Sequence, residues 1–101
     1  MLVVPAIDLL GGRCARLVEG DYERSIVYDA DPVEVARRFE GEGARLIHIV
    51  DLDGAREGRP VNLHVVERIV KAVEVPVQLG GGMRSPDDVR RALEAGVAKV
   101  V

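Results

Sequence analysis

Val75-Pro76-Val77-Gln78-Leu79-Gly80-Gly81-Gly82-Met83-Arg84-Ser85-Pro86-Asp87-Asp88 is the stretch on which the fold turns. Val75–Leu79 is a short apolar run of strand length that stops at three consecutive glycines. Ser85 and Pro86 then open a helix: Ser caps exposed N–H groups, Pro suits the first helical position, and acids belong in the first turn. A strand passing through a glycine turn into a capped helix is one βα unit.

Working outward, the same device recurs. Upstream, Asp31-Pro32-Val33-Glu34 repeats the cap, proline and acid. Val35, Ala36, Phe39 and Gly43 follow at helical spacing, and Gly43-Ala44 ends the helix. Leu46–Val50 is a second apolar run, ending at Asp51. Asn62 can cap the next helix, whose buried stripe would be Val65, Val66, Ile69, Val70 and Val73. Downstream, the third helix carries Val89, Ala92 and Leu93 and ends at Gly96, and Val97–Val101 opens another strand. At the start, Leu2–Ile7 is an apolar run ending at Asp8. The predicted order is β-α-β-α-β-α-β, an α/β fold whose right-handed crossovers make all the strands parallel. The connection from Leu9 to Ala30 is the longest, and a long loop after a parallel strand is expected to serve a ligand.

The composition agrees. The chain has 101 residues, 48% hydrophobic and 31% charged, which suits one globular domain. Aromatics are only 3%, so the core must be built from Val, Ile, Leu and Ala. A net charge of −3 excludes a non-specific nucleic-acid binder. An anionic substrate would need local arginines or a helix N-terminus. Cys14 is the one cysteine, so no internal disulfide is possible; it reads as a small buried apolar residue, and a cytoplasmic location is expected. Met1–Leu10 lacks the pattern of a signal peptide, and no apolar run has transmembrane length.

Three strand ends share one rim of a parallel sheet, the rim where α/β folds bind ligands. They are Asp8, Asp51-Leu52-Asp53-Gly54, and Gly80-Gly81-Gly82-Met83-Arg84. Asp8 reads either as a solvated strand-end cap or as a general acid–base. Asp-x-Asp-Gly reads as a tight turn or as part of a site. Glycines before an arginine and a helix start can bring backbone N–H groups against a phosphate, although a plain flexible turn has the same sequence. His48 and His64 lack metal-ligand spacing and read as structural.

Three blocks carry a specific resemblance. The first is Pro5-Ala6-Ile7-Asp8-Leu9 with Gly11-Gly12-Arg13-Cys14-Ala15-Arg16-Leu17 and Glu19-Gly20-Asp21-Tyr22. The second is His48-Ile49-Val50-Asp51-Leu52-Asp53-Gly54-Ala55 with Gly58-Arg59-Pro60-Val61-Asn62, and the third is Pro76–Arg84. Together they resemble the N-terminal part of the phosphoribosylformimino-5-aminoimidazole carboxamide ribotide isomerases of histidine biosynthesis, the HisA family. The sister cyclase family is less similar in the second block. The resemblance implies a (β/α)8 TIM barrel, of which residues 1–101 would supply about the first three and a half βα units of a single domain, stopping within strand 4. It implies an Amadori rearrangement of the aminoaldose ProFAR to the aminoketose PRFAR, with no metal and no cofactor. Asp8 matches the family's general base. Arg16 and Arg84 match arginines that contact substrate, Gly81 and Gly82 match backbone that holds a phosphate, and Asp51 matches a substrate-side aspartate of the same rim. The partner implied is a bis-phosphorylated small molecule, with no nucleic acid and no membrane.

In that family the second catalytic aspartate and the other phosphate site lie beyond these residues, so the fragment alone is expected to be inactive, within a full-length parent that is monomeric. A competing reading is a barrel piece that acts only as a self-associating structural module; another is a small flavodoxin-like phosphate-binding domain. Self-association would follow from an uncovered apolar sheet face, expected at Val4, Ile47, Ile49, Val77 and Leu79.

Overall fold

The computed structural model describes residues 4–101. Its strands are β1 (Ala6–Leu10), β2 (Arg13–Val18), β3 (Asp21–Val27), β4 (Ile47–Asp51), β5 (Val77–Gly80) and β6 (Lys99–Val100). Its helices are α1 (Pro32–Gly41), α2 (Leu52–Glu57), α3 (Leu63–Ala72) and α4 (Pro86–Glu94). All six strands form one sheet in the order β3-β2-β1-β4-β5-β6. β1, β4, β5 and β6 are parallel, and β2 and β3 are antiparallel additions at one edge.

The parallel α/β core is as expected, but its simple β-α-β-α-β-α-β order needs correcting at two places. The segment Leu9–Ala30 is not an open loop; it folds back as a hairpin, β2 and β3. Two tight turns make this possible. Gly11 and Gly12 have φ of +60° and +76°, and Glu19 and Gly20 have φ of +53° and +76°. Two successive positive φ values define the two-residue turn whose twist matches that of paired strands. The second correction is α2. Asp51-Leu52-Asp53-Gly54 is the start of a short helix rather than a tight turn, with the Asp51 carboxylate accepting from Gly54 N–H as N-cap and Gly58 closing it in the left-handed region.

Strand limits also shift. β1 starts at Ala6, so the expected Leu2–Ile7 run is displaced toward the rim; Leu2 and Val3 lie outside the described residues. The third expected strand is shortened to Val77–Gly80 and the fourth to Lys99–Val100.

Helix starts follow the local chemistry. Asp31 accepts from Val33 N–H at 2.9 Å ahead of Pro32. Ser85 and Asp88 form a reciprocal capping box ahead of Pro86. Asn62 stands at the N-cap of α3 but makes no side-chain cap bond there, contrary to expectation, because its amide is engaged elsewhere.

The parallel strands follow one another across the sheet, so right-handed crossovers lay α1, α3 and α4 on the same face. That face holds the core: Ile7, Leu9, Ile47, Ile49, Val77 and Leu79 are at most 2% exposed, packed with Val66 and Ile69 of α3 and Ala36 of α1. This reverses the expected orientation of the sheet. Ile47, Ile49, Val77 and Leu79 are the helix-covered set, not the uncovered one. Strand side chains alternate faces, so the uncovered set is Val4, Ala6, Asp8, His48, Val50 and Gln78, only partly buried or exposed. Its chemistry is mixed and polar at the center, which removes the apolar-patch argument for self-association.

Candidate functional site

Parity along the strands divides the rim. Asp8 pairs with Val50, and Val50 with Gly80, so these three form one row across β1, β4 and β5 on the uncovered face. Asp51 is one residue on and turns to the helix side, in register with Leu9.

Asp8 is half-buried at the end of β1, and among the described residues its carboxyl makes no hydrogen bond. Burial pushes its pKa above the ordinary aspartate value, and the charge of the His48 ring pulls the other way. A carboxyl held in this state retains a proton more readily and is a better base once it has lost it. Asp8 also lines a recess of about 290 Å³ with Ala6, Cys14, Tyr28 and Arg38, between β1, the hairpin and α1. Within it, burial first and then the charge of Asp31 push the Cys14 thiol up, against Arg38. Cys14 therefore stays a neutral thiol, as a small core residue would.

Asp51 has a different environment. It is 0% exposed. Its Oδ1 accepts from Gly54 N–H at 2.8 Å and from the Asn62 side-chain amide at 2.7 Å. Its Oδ2 accepts from the N–H groups of Val61 at 2.7 Å and Asn62 at 2.9 Å. Four donors replace the water that a buried carboxylate loses. The Asn62 amide also reaches Asp53 Oδ2 at 2.8 Å, and the same oxygen accepts from Gly11 N–H at 2.6 Å in the β1–β2 turn. The hairpin is fastened again where Tyr22 donates its hydroxyl to Leu52 C=O at 2.6 Å, with the Arg56 guanidinium 4.7 Å from the Tyr22 ring center. The second block of the sequence is thus a polar joint tying α2, the turn before α3 and the hairpin together.

The glycine turn fits into that joint. A Cβ on Gly81 would lie 2.5 Å from the Asp51 carbonyl oxygen, and one on Gly82 would run into the Gly54 carbonyl. Gly54 itself has room for a Cβ only 2.8 Å from Asp51 Cγ and from the Gly81 carbonyl. Gly81 and Gly82 have φ of +104° and +87°, so both steric space and backbone conformation demand glycine here. Close packing of backbone on backbone accounts for these glycines without a ligand.

Of the expected site residues, Asp51 and Gly81 are therefore brought into direct contact, with Gly82 packed beside them on Gly54. Asp8 stands on the opposite face of the sheet. Arg16 is exposed on β2, across from Ile26 of β3. Arg84 is exposed with its guanidinium over Gly58, where a Cβ would come within 3.0 Å of Cζ. Sequence reasoning missed Asp53, Asn62 and the pairing of His48 with Gln78 across β4 and β5, whose ring Nδ1 and side-chain amide lie 2.9 Å apart. Strand alternation was the available signal for the last, since it puts Asp8, His48 and Gln78 on one face.

The comparisons with known proteins agree with this architecture. The model of the family described as "Histidine biosynthesis protein" matches residues 2–101. The chain is similar to proteins named 1-(5-phosphoribosyl)-5-((5-phosphoribosylamino)methylideneamino) imidazole-4-carboxamide isomerase. It is 60% identical to that of Rubrobacter xylanophilus over 100 residues, covering 99% of the chain and 41% of the relative. It is 55% identical to that of Roseiflexus sp. over 101 residues, covering 100% of the chain and 43% of the relative. For Synechocystis sp. the identity is 54% over 101 residues, with 100% and 40% covered. The chain thus spans about two fifths of the length of these curated relatives. Among solved structures it is similar to a chain of the BexX/CysO complex of Amycolatopsis orientalis, with a TM-score of 0.65 at 20% identity, covering 100% of this chain and 33% of that one. That likeness concerns the fold alone. Among the described residues no helix is long and apolar enough to cross a membrane.

Proposed function

The chain belongs to the histidine biosynthesis protein family, and from that premise we propose that it is the N-terminal part of a single (β/α)8 barrel domain that isomerises the aminoaldose ProFAR to the aminoketose PRFAR. The uncovered sheet face becomes the barrel interior, and the strand ends become the mouth where such barrels bind substrate. In this reading residues 1–101 supply the opening βα units, and later strands complete the wall.

In this reading Asp8 is the general base of an Amadori rearrangement. The ring oxygen takes up a proton as the sugar opens to a protonated imine, and Asp8 removes the proton of the neighbouring carbon as the electrons pass to nitrogen. The resulting enol gives up its hydroxyl proton while the former imine carbon gains one, which leaves the ketone. No net oxidant or reductant is needed, and no cofactor or metal enters the proposal. Arg16 on the hairpin and Arg84 beyond the glycine turn supply charge to a substrate phosphorylated at both ends. Backbone at Gly81 and Gly82 lies near one phosphate. Asp51 acts by holding α2, the glycine turn and the start of α3 in register, since its own acceptors are already taken. A cytoplasmic biosynthetic setting follows from the same reading.

The observation that carries it is Asp8: a carboxyl at the rim, on the uncovered face, without a hydrogen-bond partner among the described residues and with its pKa raised by burial. The test is an assay of the purified full-length polypeptide that contains this chain. Conversion of ProFAR to PRFAR without added metal is expected. A folded polypeptide that leaves ProFAR unchanged would refute the function.

A further inference from the structure

On the uncovered face the side chain nearest in kind to Asp8 is His48. In register His48 stands beside Ala6, two residues below the Asp8–Val50–Gly80 row, so it is a diagonal neighbour of Asp8. Its ring leans up toward that row. A Cβ on Gly80 would lie 3.5 Å from His48 Cε1 and 3.8 Å from Nε2. The Cε1–Nε2 edge therefore lies within ordinary contact distance of position 80, on the rim side of the ring. The other nitrogen, Nδ1, is 2.9 Å from Gln78 Nε2 on the adjacent strand. Among the described residues Nε2 has no hydrogen-bond partner, and no side-chain nitrogen or oxygen is both buried and unpaired, so Nε2 is open to the barrel side.

An amide nitrogen can only donate. With Gln78 Nε2 as the donor of this contact, Nδ1 accepts and a neutral ring carries its proton on Nε2. We propose that Gln78 is a positioning residue that locks His48 in the neutral tautomer protonated at Nε2, so that this N–H is presented to the substrate beside Asp8. This deepens the isomerase reading above and rests on it. After Asp8 takes the carbon's proton, the electrons pass to the iminium nitrogen and leave an enol. That enol's hydroxyl then loses its proton as the former imine carbon gains one and the carbonyl forms, and a fixed N–H donor stabilises the charge on the oxygen in that second step. The same arrangement keeps the pair at one carboxylate and one neutral donor. A ring proton on Nδ1 would leave Nε2 as a lone pair facing a lone pair.

The experiment has two readouts on the full-length polypeptide. Long-range proton–nitrogen correlation spectra of the imidazoles report which nitrogen of His48 carries the proton, independently of activity. The unaltered protein is expected to show Nε2–H with Nδ1 bare. Gln78→Glu replaces the donor with an acceptor and should move the proton to Nδ1. It should lower kcat by about tenfold or more with KM within about twofold, a smaller loss than outright removal of a preorganised donor, which costs about 100- to 1000-fold. Gln78→Met keeps the length without donor, acceptor or charge; it should give a mixture of tautomers and an intermediate kcat, which separates the tautomer from the added charge. Nδ1–H in the unaltered protein would overturn the proposal, and so would a tautomer switch that leaves kcat untouched. An unaltered polypeptide with no isomerase activity would refute the proposed function instead, while the spectra would still decide the tautomer.

Discussion

At the end of β1, Asp8 keeps its carboxyl free on the uncovered face of the sheet. At the end of β4, Asp51 faces the helices and accepts from Gly54, Val61 and Asn62 in full burial. The two aspartates close similar apolar runs, and a shift of one residue in strand parity separates them. A carboxylate that takes four donors in full burial is fixed and dry, with its acceptors used inside the fold. One left partly buried without donors is strained toward its protonated form, and it can exchange a proton with whatever occupies the space above it. The β4 end is tied into the rim, and in the proposed function the β1 end is the one that reacts.

Asp8 is where the two strand ends should differ most in function. Asp8→Asn in the full-length polypeptide should lower kcat by about 100- to 10,000-fold, the scale of a positioned acid–base group, with KM little changed and the fold intact. Steady-state kinetics on ProFAR read this out. An Asn variant with unaltered kcat would move Asp8 into the same structural class as Asp51.

Asp51→Ala should have the opposite signature. It strips acceptors from the N–H groups of Gly54, Val61 and Asn62 and from the Asn62 amide, all packed away from water. Each buried donor left unpaired costs about 1–3 kcal/mol, so a total loss of about 3 kcal/mol or more is expected. Denaturant unfolding would show it as a lowered midpoint. A variant as stable as the unaltered protein, but with a raised KM, would mean that Asp51 reaches the substrate after all.

How much of this contrast could be read in the sequence depends on the range of the interactions. Helix starts are local, so Asp31-Pro32 and Ser85-Pro86 announced α1 and α4 correctly. The hairpin was equally local, since Gly11-Gly12 between Leu10 and Arg13 is a hairpin turn signal. It was overlooked because Arg13–Val27 mixes charged and apolar residues without clean alternation, and β3 is exposed or only partly buried along its whole length. The joint around Asp51 was not legible, because its partners Val61 and Asn62 stand ten and eleven residues away and are brought back only by α2. Asn62 looked like a cap for α3 for the same reason: its tertiary partners outcompete the local one. The uncovered face was inferred with the wrong parity. Ile47, Ile49, Val77 and Leu79 suit a barrel interior as well as a helix-covered core, and only the placement of α1 and α3 decides between them. Asp8 itself was legible as a rim residue. Its role as base remains part of the proposal, because it is carried by family resemblance and by its isolation on the sheet.

The two strand ends should also differ, more weakly, in how stability depends on pH. Burial raises the pKa of Asp8 above 3.8, so the folded state holds the proton more tightly than the unfolded chain does. The sign follows from linkage: a raised folded value gives a stability contribution that is complete below the unfolded value and is lost as pH rises through the folded one. Asp8 is therefore a cost to the fold at neutral pH, reduced because the side chain is partly open to solvent. Asn is neutral at every pH and escapes this cost. Melting temperatures of the unaltered and Asp8→Asn polypeptides should nearly coincide well below the carboxylate range, and the Asn variant should become the more stable of the two as pH rises through and above it. The gain would come with the loss of turnover, as expected of a group kept for chemistry at the expense of stability. An Asn variant that is no more stable at neutral pH than at acid pH, relative to the unaltered protein, would mean that Asp8 is as well accommodated as Asp51, and the contrast between the two strand ends would then fail.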